Sequence, residues 1–291
     1  MTSFQNNKKL KFIITLGNSK FSDGTSNQIT LENLRASVDI DKAGGMAMGQ
    51  LSAKIWGVSQ SAMNSVTTLQ WKPGNWIVNK IEVFAIDGEQ ETLIFSGNIV
   101  NSWGDYQSMP DVFLNIQAQS AYQAQIQSVK PLSVTSGVNV AVLMGNIAKE
   151  MGLSFENNNV SVIMPELYLS NSLTERAKDL AAMANFDLYI DDVVLAITNR
   201  YAPRDGLIPL ISPYSGLVGY PNFDGVGVTF RCLFNPGIIF GGLIKLDTSI
   251  PTANGDWIVT SISHQLESEK PSGAWFSTIR GNANGLAVTS R

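Results

Sequence analysis

Cysteine and histidine are nearly missing from this chain of 291 residues: Cys232 and His264 stand alone. A single cysteine forms no disulfide within the chain, so nothing in the sequence requires an oxidising compartment. A single histidine excludes His-x-x-x-His metal motifs and any site built on a histidine pair. Charge is scarce too, with 15% Asp, Glu, Lys and Arg where soluble domains usually carry roughly 25%. Asn, Gln, Ser and Thr fill the deficit, which suits either a surface committed to permanent contacts or a neutral polar β-protein surface. A net charge of −4 argues against sequence-independent grip on a phosphate backbone, which needs clustered Lys and Arg. No apolar run reaches the ~18 residues of a membrane span, so no stable membrane insertion is expected. Lys8, Lys9 and Lys11 before Phe12–Leu16 mimic the start of a signal peptide, but the apolar run is short and Gly17-Asn18-Ser19-Lys20 ends it. The segment reads as a first strand, and the protein is expected to be made and assembled in the cytoplasm.

What is present is length enough for two or three domains, and 44% hydrophobic residues, which excludes a disordered chain. Up to about residue 130 the period is two. Ala36, Val38 and Ile40 share one face, Leu51, Ala53 and Ile55 repeat the pattern after Gly44-Gly45, and the pair predicts a hairpin. Ser59 opens a short helix with Ala62, Met63, Val66 and Leu69 on one face; WKPGNW (71–76) breaks the chain, and strands resume at 77–86, 93–100 and 112–118. The sum is a small antiparallel barrel or sandwich with one helix.

From 131 to 206 the period changes. Val140, Leu143, Met144, Ile147, Ala148 and Met151 form an apolar helical stripe that Gly152 ends. A second helix opens at Ser172, with Glu175 placed for a capping box, and buries Leu173, Ala177, Leu180, Ala181 and Ala184. The run 186–198 then predicts a hairpin turning at Asp191-Asp192, giving a small α+β domain. From 207 to 291 the chain is β again, with Gly216, Gly219, Pro221, Gly225, Gly227, Pro236, Gly237, Gly241 and Gly242 between apolar segments. Gly285 onward reads as a frayed tail.

No residue combination carries a supported chemistry, so no catalytic, cofactor-binding or metal site is assigned and no cofactor is expected. His264 lies on one strand face with Ile258, Thr260, Ile262 and Leu266 and reads as structural, since a general base needs a placed nucleophile. Cys232, in the apolar TFRCLF, reads as a buried thiol, the alternative being a Cys232/His264 hydrolase dyad. Asp39 to Gly45 resembles a calcium loop, but Ala43 stands at the third ligand position and Gln50 at the closing one, so a hairpin turn is the better reading. Asp191-Asp192 reads as a turn pair capping backbone groups rather than a metal site. Gly225-Val226-Gly227 lacks the third glycine and following helix of a dinucleotide loop, and is a turn. Trp56, Trp71, Trp76, Trp103, Trp257 and Trp275 are scattered through different elements, which points to core or interface anchors; the alternative is a carbohydrate-binding or adhesin module with exposed, coplanar indoles.

The order of pieces carries a resemblance. MAMGQLSAKIWGVSQSAMNSVTT, ETLIFSGNIVNSW, TERAKDLAAMANFDLYIDDVVLAI, and GLVGYP through an FNP turn to GAWFSTIRG resemble, in sequence, the baseplate hub proteins of contractile-tailed bacteriophages, of the tail hub or late control type. The resemblance implies a β-rich α+β fold: two small antiparallel tube-protein-like β-barrels, at 1–130 and 207–291, with the α+β domain at 131–206 between them. It implies a structural, non-enzymatic homotrimer in the virion's tail baseplate, bound to a central spike, to the tail tube or its initiator, and to neighbouring baseplate proteins. Such a ring adapts a threefold spike to a sixfold tube and lets DNA pass without binding it specifically. Any cell-wall lysis is expected from a separate protein.

Overall fold

The computed structural model describes residues 8–17, 19–21, 26–43, 47–67, 78–107 and 109–283. The expected tail from Gly285, the WKPGNW breaker and Gly44-Gly45 lie outside the described residues. The fold is β-rich with a few helices, as the periodicities predict, and it divides into two compact units.

The first unit comprises 1–41, 49–120 and 263–277. Its strands are β1 (Lys8–Thr15), β2 (Gln28–Leu31), β3 (Ala36–Lys42), β4 (Gln50–Trp56), β5 (Lys80–Asp87), β6 (Gln90–Asp105) and β7 (Phe113–Gln119), with one helix, α1 (Gln60–Val66). Every other side chain of β1, β3, β4 and β5 is buried, which turns alternation in sequence into one continuous apolar face. The predicted hairpin forms with Val38 opposite Ala53 and Ile40 opposite Leu51. Strand β6 outruns the predicted segment 93–100 at both ends, because it pairs with β5 over Gln90–Asn98 and with β7 over Asn98–Asp105. Ser59 caps α1, its Oγ accepting the Ala62 N–H at 3.3 Å, and Ala62, Met63 and Val66 are buried.

The second unit comprises 42–48, 121–262 and 278–291. It opens with α2 (Tyr122–Ile126), a single turn the sequence reading passed over, then β8 (Leu132–Val134), β9 (Val138–Asn139), α3 (Val140–Met151), β10 (Ser154–Asn158), β11 (Ile163–Met164), β12 (Leu167–Leu169), α4 (Leu173–Ala184), β13 (Phe186–Asp191) and β14 (Val194–Asn199). Asn139 caps α3 by accepting the Ala141 N–H at 2.8 Å, and Gly152 ends it at φ +74°, a left-handed conformation that a Cβ would strain. Ser172 caps α4 through the Glu175 N–H at 3.5 Å, while the Glu175 carboxylate meets Lys178 at 2.9 Å. The stripes of α3 and α4 pack with Phe186, Leu188, Leu195 and Ile197 into one core over a sheet ordered β10-β14-β13. The turn between β13 and β14 falls at Asp192-Val193, one residue later than predicted, with Asp192 at φ +54°.

The remaining strands are β15 (Leu210–Ile211), β16 (Leu217–Phe223), β17 (Gly227–Leu233), β18 (Leu243–Leu246), β19 (Gly255–Ser268) and β20 (Trp275–Ala283). In the second unit the order is β16-β17-β20-β19, with β18 on β19 and β15 on β18. Phe230, Cys232, Phe240, Ile244, Leu246, Val259 and Ile279 belong to its core. Strands β19 and β20 are long, and residues 263–277, the tip of their hairpin, belong to the first unit, where β19 neighbours β3. Ser268 Oγ there donates to the Leu34 carbonyl at 2.9 Å.

Candidate functional site

The residues that sequence singled out are dispersed. Cys232 is 1% exposed on β17, and burial pushes its thiol up to about 12, the opposite of an activated nucleophile. His264 belongs to the other unit, buried on β19 with Nδ1 2.7 Å from Ser277 Oγ. The two sit in different units, each with its own local partners. Asp39 and Asp41 stand in strand register opposite Ser52 and Gln50. Asp224 Oδ1 accepts the N–H groups of Val226 at 3.1 Å and Gly227 at 2.9 Å, which closes the β16–β17 turn. Among the described residues no cluster of three His, Cys, Asp or Glu side chains is arranged for a metal ion.

The tryptophans divide the same way. Trp275 is buried, Trp257 Nε1 donates to the Ala253 carbonyl at 2.9 Å, and Trp56 lies 5.2 Å from the Phe113 ring with the Arg35 guanidinium 4.5 Å from its centre. Trp103 is 37% exposed, and Trp71 and Trp76 lie outside the described residues. Two lysines of β1 meet side-chain acceptors: Lys9 Nζ donates to Asn33 Oδ1 at 2.7 Å and Lys11 Nζ to Glu91 Oε1 at 2.9 Å. The Glu91 carboxylate offsets the Lys11 charge, while the neutral Asn33 leaves that of Lys9 in place.

The strongest electrostatic feature is one the sequence did not announce, a knot of five charges within the second unit. Lys42, at the end of β3, donates from Nζ to Asp191 Oδ1 at 2.7 Å and to Asp192 Oδ2 at 2.5 Å. Arg204 follows β14 and reaches Asp191 Oδ2 at 2.9 Å, while its Nε and Nη2 grip Glu156 of β10 at 3.1 and 2.8 Å. The same guanidinium donates to the Phe240 carbonyl at 2.8 Å, and the Arg204 backbone N–H to Gly241 O at 2.8 Å. The acidic pair read from sequence as turn caps thus supplies two of the three anions of a largely buried ion-pair network. Asn158 supports it from behind, donating to Glu156 Oε1 at 2.9 Å and accepting the Asp205 N–H at 2.8 Å.

Burial alone would lower the Lys42 pKa; Asp192 and Asp191 outweigh it and raise the value well above the usual lysine range. Asp191 is pulled the other way, since Lys42 and Arg204 overcome a burial penalty and hold its carboxyl below the usual range. The Arg204 hydrogen bonds lower Glu156 as well. Beside the knot, Tyr189 packs edge-on against Phe240 at 5.2 Å, its phenol pushed up to about 12 by burial. Gly241, at φ +81°, leaves 2.9 Å between a hypothetical Cβ and the Tyr189 ring, so no larger residue fits that passage. Every charge here has an opposite partner, and the arrangement is suited to holding chain segments together rather than to transferring protons.

One surface feature also escaped the sequence reading. Strand β16 exposes side chains on both faces, with Tyr220 73% and Phe223 49% exposed, and the preceding turn leaves Tyr214 entirely in solvent.

Comparison with known proteins gives a consistent setting. Residues 10–275 match the sequence model of the family described as baseplate hub gp41. No curated protein matches the sequence. In fold the chain is similar to a tail protein from Neisseria meningitidis MC58, at TM-score 0.63 and 7% identity over 94% of this chain and 97% of that one. It is similar also to the 43 kDa tail protein of prophage MuSo2 from Shewanella oneidensis, at TM-score 0.60 and 10% identity over 93% and 96% of the two chains. A third similar structure is the E. coli c3393 protein, a type VI secretion component with structural similarity to the T4 tail proteins gp27 and gp5, at TM-score 0.59 and 7% identity over 86% and 73%. At these identities the likeness is one of fold.

Proposed function

The chain belongs to the baseplate hub gp41 family, and from that membership we propose that three copies form the ring at the centre of a contractile tail's baseplate. The family match over 10–275 carries this reading, and the likeness to tail-protein folds along nearly the whole chain supports it. The proposed organisation is two tube-protein-like β-barrel domains, 1–130 and 207–291, flanking the α+β domain 131–206. Six similar β-domains then surround the axis of a trimer, which adapts a threefold spike to a sixfold tube.

The work is mechanical and requires no catalytic centre. It asks for large, permanent interfaces poor in charge, in keeping with 15% charged residues and with a stable interface of the order of 2,000 Å² or more. It asks too for a passage that does not hold DNA, in keeping with a net charge of −4 and with the Lys11–Glu91 ion pair on β1. The proposed partners are a second and third copy, a central spike, the tail tube or its initiator, and neighbouring baseplate proteins, all assembled in the host cytoplasm into the virion tail. Electron microscopy of the purified protein tests the reading: threefold rings with a central opening are expected, and particles without threefold symmetry at every concentration would contradict it.

A further inference from the structure

The chain from Gly206 to Phe223 contains no charged residue, yet much of it faces solvent. Leu207 is 84% exposed, Ile208 54%, Tyr214 101%, Val218 37%, Tyr220 73% and Phe223 49%. Together these six side chains expose on the order of 600 Å² of largely apolar surface, spread over both faces of β16 and the segment before it. It is also most of the roughly 800 Å² that one partner contributes to a stable interface. Strand β16 ends the path of its sheet, and among the described residues β17 is the one strand it pairs with. Its outer edge therefore presents backbone donors and acceptors beside the apolar side chains, the combination that natural proteins guard with charge when it is to stay in water. Here the strand itself carries no charge: Asp224 lies beyond its end, paired with Arg280 at 2.6 Å, and Arg231 stands on β17 opposite Val218.

We propose that this face, the free edge of β16 with the turn before it, seats a second copy of the chain. The inference rests on the ring reading above and names the surface that closes the ring. A partner that came and went would leave the patch in water for part of the protein's life, whereas a copy of the same chain covers it from assembly onward. Docking desolvates no charge along the strand, so the apolar gain is not offset there. In a ring the contact is head-to-tail, so the β16 edge meets a different surface of the next copy rather than itself.

The test is sedimentation of the full chain beside Tyr220→Arg, Phe223→Glu and Tyr214→Arg, each altering a side chain that faces solvent in the single chain. The wild type is expected to sediment as three chains, and the variants, with unchanged circular dichroism, as single chains associating at least 100-fold more weakly. Variants that remain trimeric would overturn this surface while leaving the ring reading intact. A wild type that is monomeric at every concentration would overturn the ring reading and this surface with it.

Discussion

Lys42 and Asp191, 149 residues apart in the sequence, meet at 2.7 Å in the interior of the second unit. The lysine side chain is 9% exposed and the aspartate 13%, so the pair and its neighbours Asp192, Arg204 and Glu156 act as a low-dielectric clasp. Its value lies in what happens when one member is lost, because the remaining charge then stays buried without a partner.

Lys42→Met is therefore expected to destabilise the protein by about 3–5 kcal/mol. Adding Asp191→Asn and Asp192→Asn to it should restore part of the loss, since the uncompensated carboxylates go with the lysine. Denaturant unfolding of the single and combined variants measures both effects. A loss within experimental error for Lys42→Met would contradict the clasp.

The same network sets a pH window. Asp191 and Glu156 have folded-state pKa values held below their unfolded ones, so their contribution is present above the unfolded carboxylate range and is lost as pH falls through the folded values. Lys42 is raised when folded, so its contribution is complete below the ordinary lysine range and disappears only as pH rises through the folded value. Unfolding midpoints should be flat through neutral pH and fall in acid; they should fall again from the ordinary thiol and phenol range upward, as Cys232 and Tyr189 ionise more readily unfolded and Lys42 then loses its charge. In Arg204→Met the acid slope should be shallower; an unchanged slope would remove Arg204 from the account.

Much of this was open to inference from sequence wherever the signal is local. Ser172 and Gly152 mark helix ends because caps act within one turn, and the stripe from Val140 to Met151 marks its own buried face. Lys42 gave no such sign, since nothing near Asp39–Gly45 points to partners at 191 and 192. Nor did alternation in residues 255–283 reveal that the hairpin tip belongs with the first unit, because a period of two fixes which face is buried and not which strand lies alongside. Tyr214, Tyr220 and Phe223 read equally well as core or surface until the sheet shows that β16 lies at its end.

Cys232 should resist alkylation in the folded protein and react fully in denaturant, as a thiol 1% exposed with its pKa near 12 requires. Cys232→Ser is expected to cost roughly 1–3 kcal/mol, through an unsatisfied buried hydroxyl. Stoichiometric modification of the native protein within minutes would contradict this burial.

His264→Leu should cost a similar amount, about 1–3 kcal/mol, because Ser277 Oγ loses the 2.7 Å bond to Nδ1 in a buried site. Thermal unfolding of the variant beside His264→Leu/Ser277→Ala checks it. Full additivity of the two changes would show that the bond contributes nothing.

The central claim is a trimeric ring, and native mass spectrometry of the purified full chain tests it most directly. The account predicts a dominant species of three chain masses that persists on dilution. A dimer, or a single chain at every concentration, would contradict it.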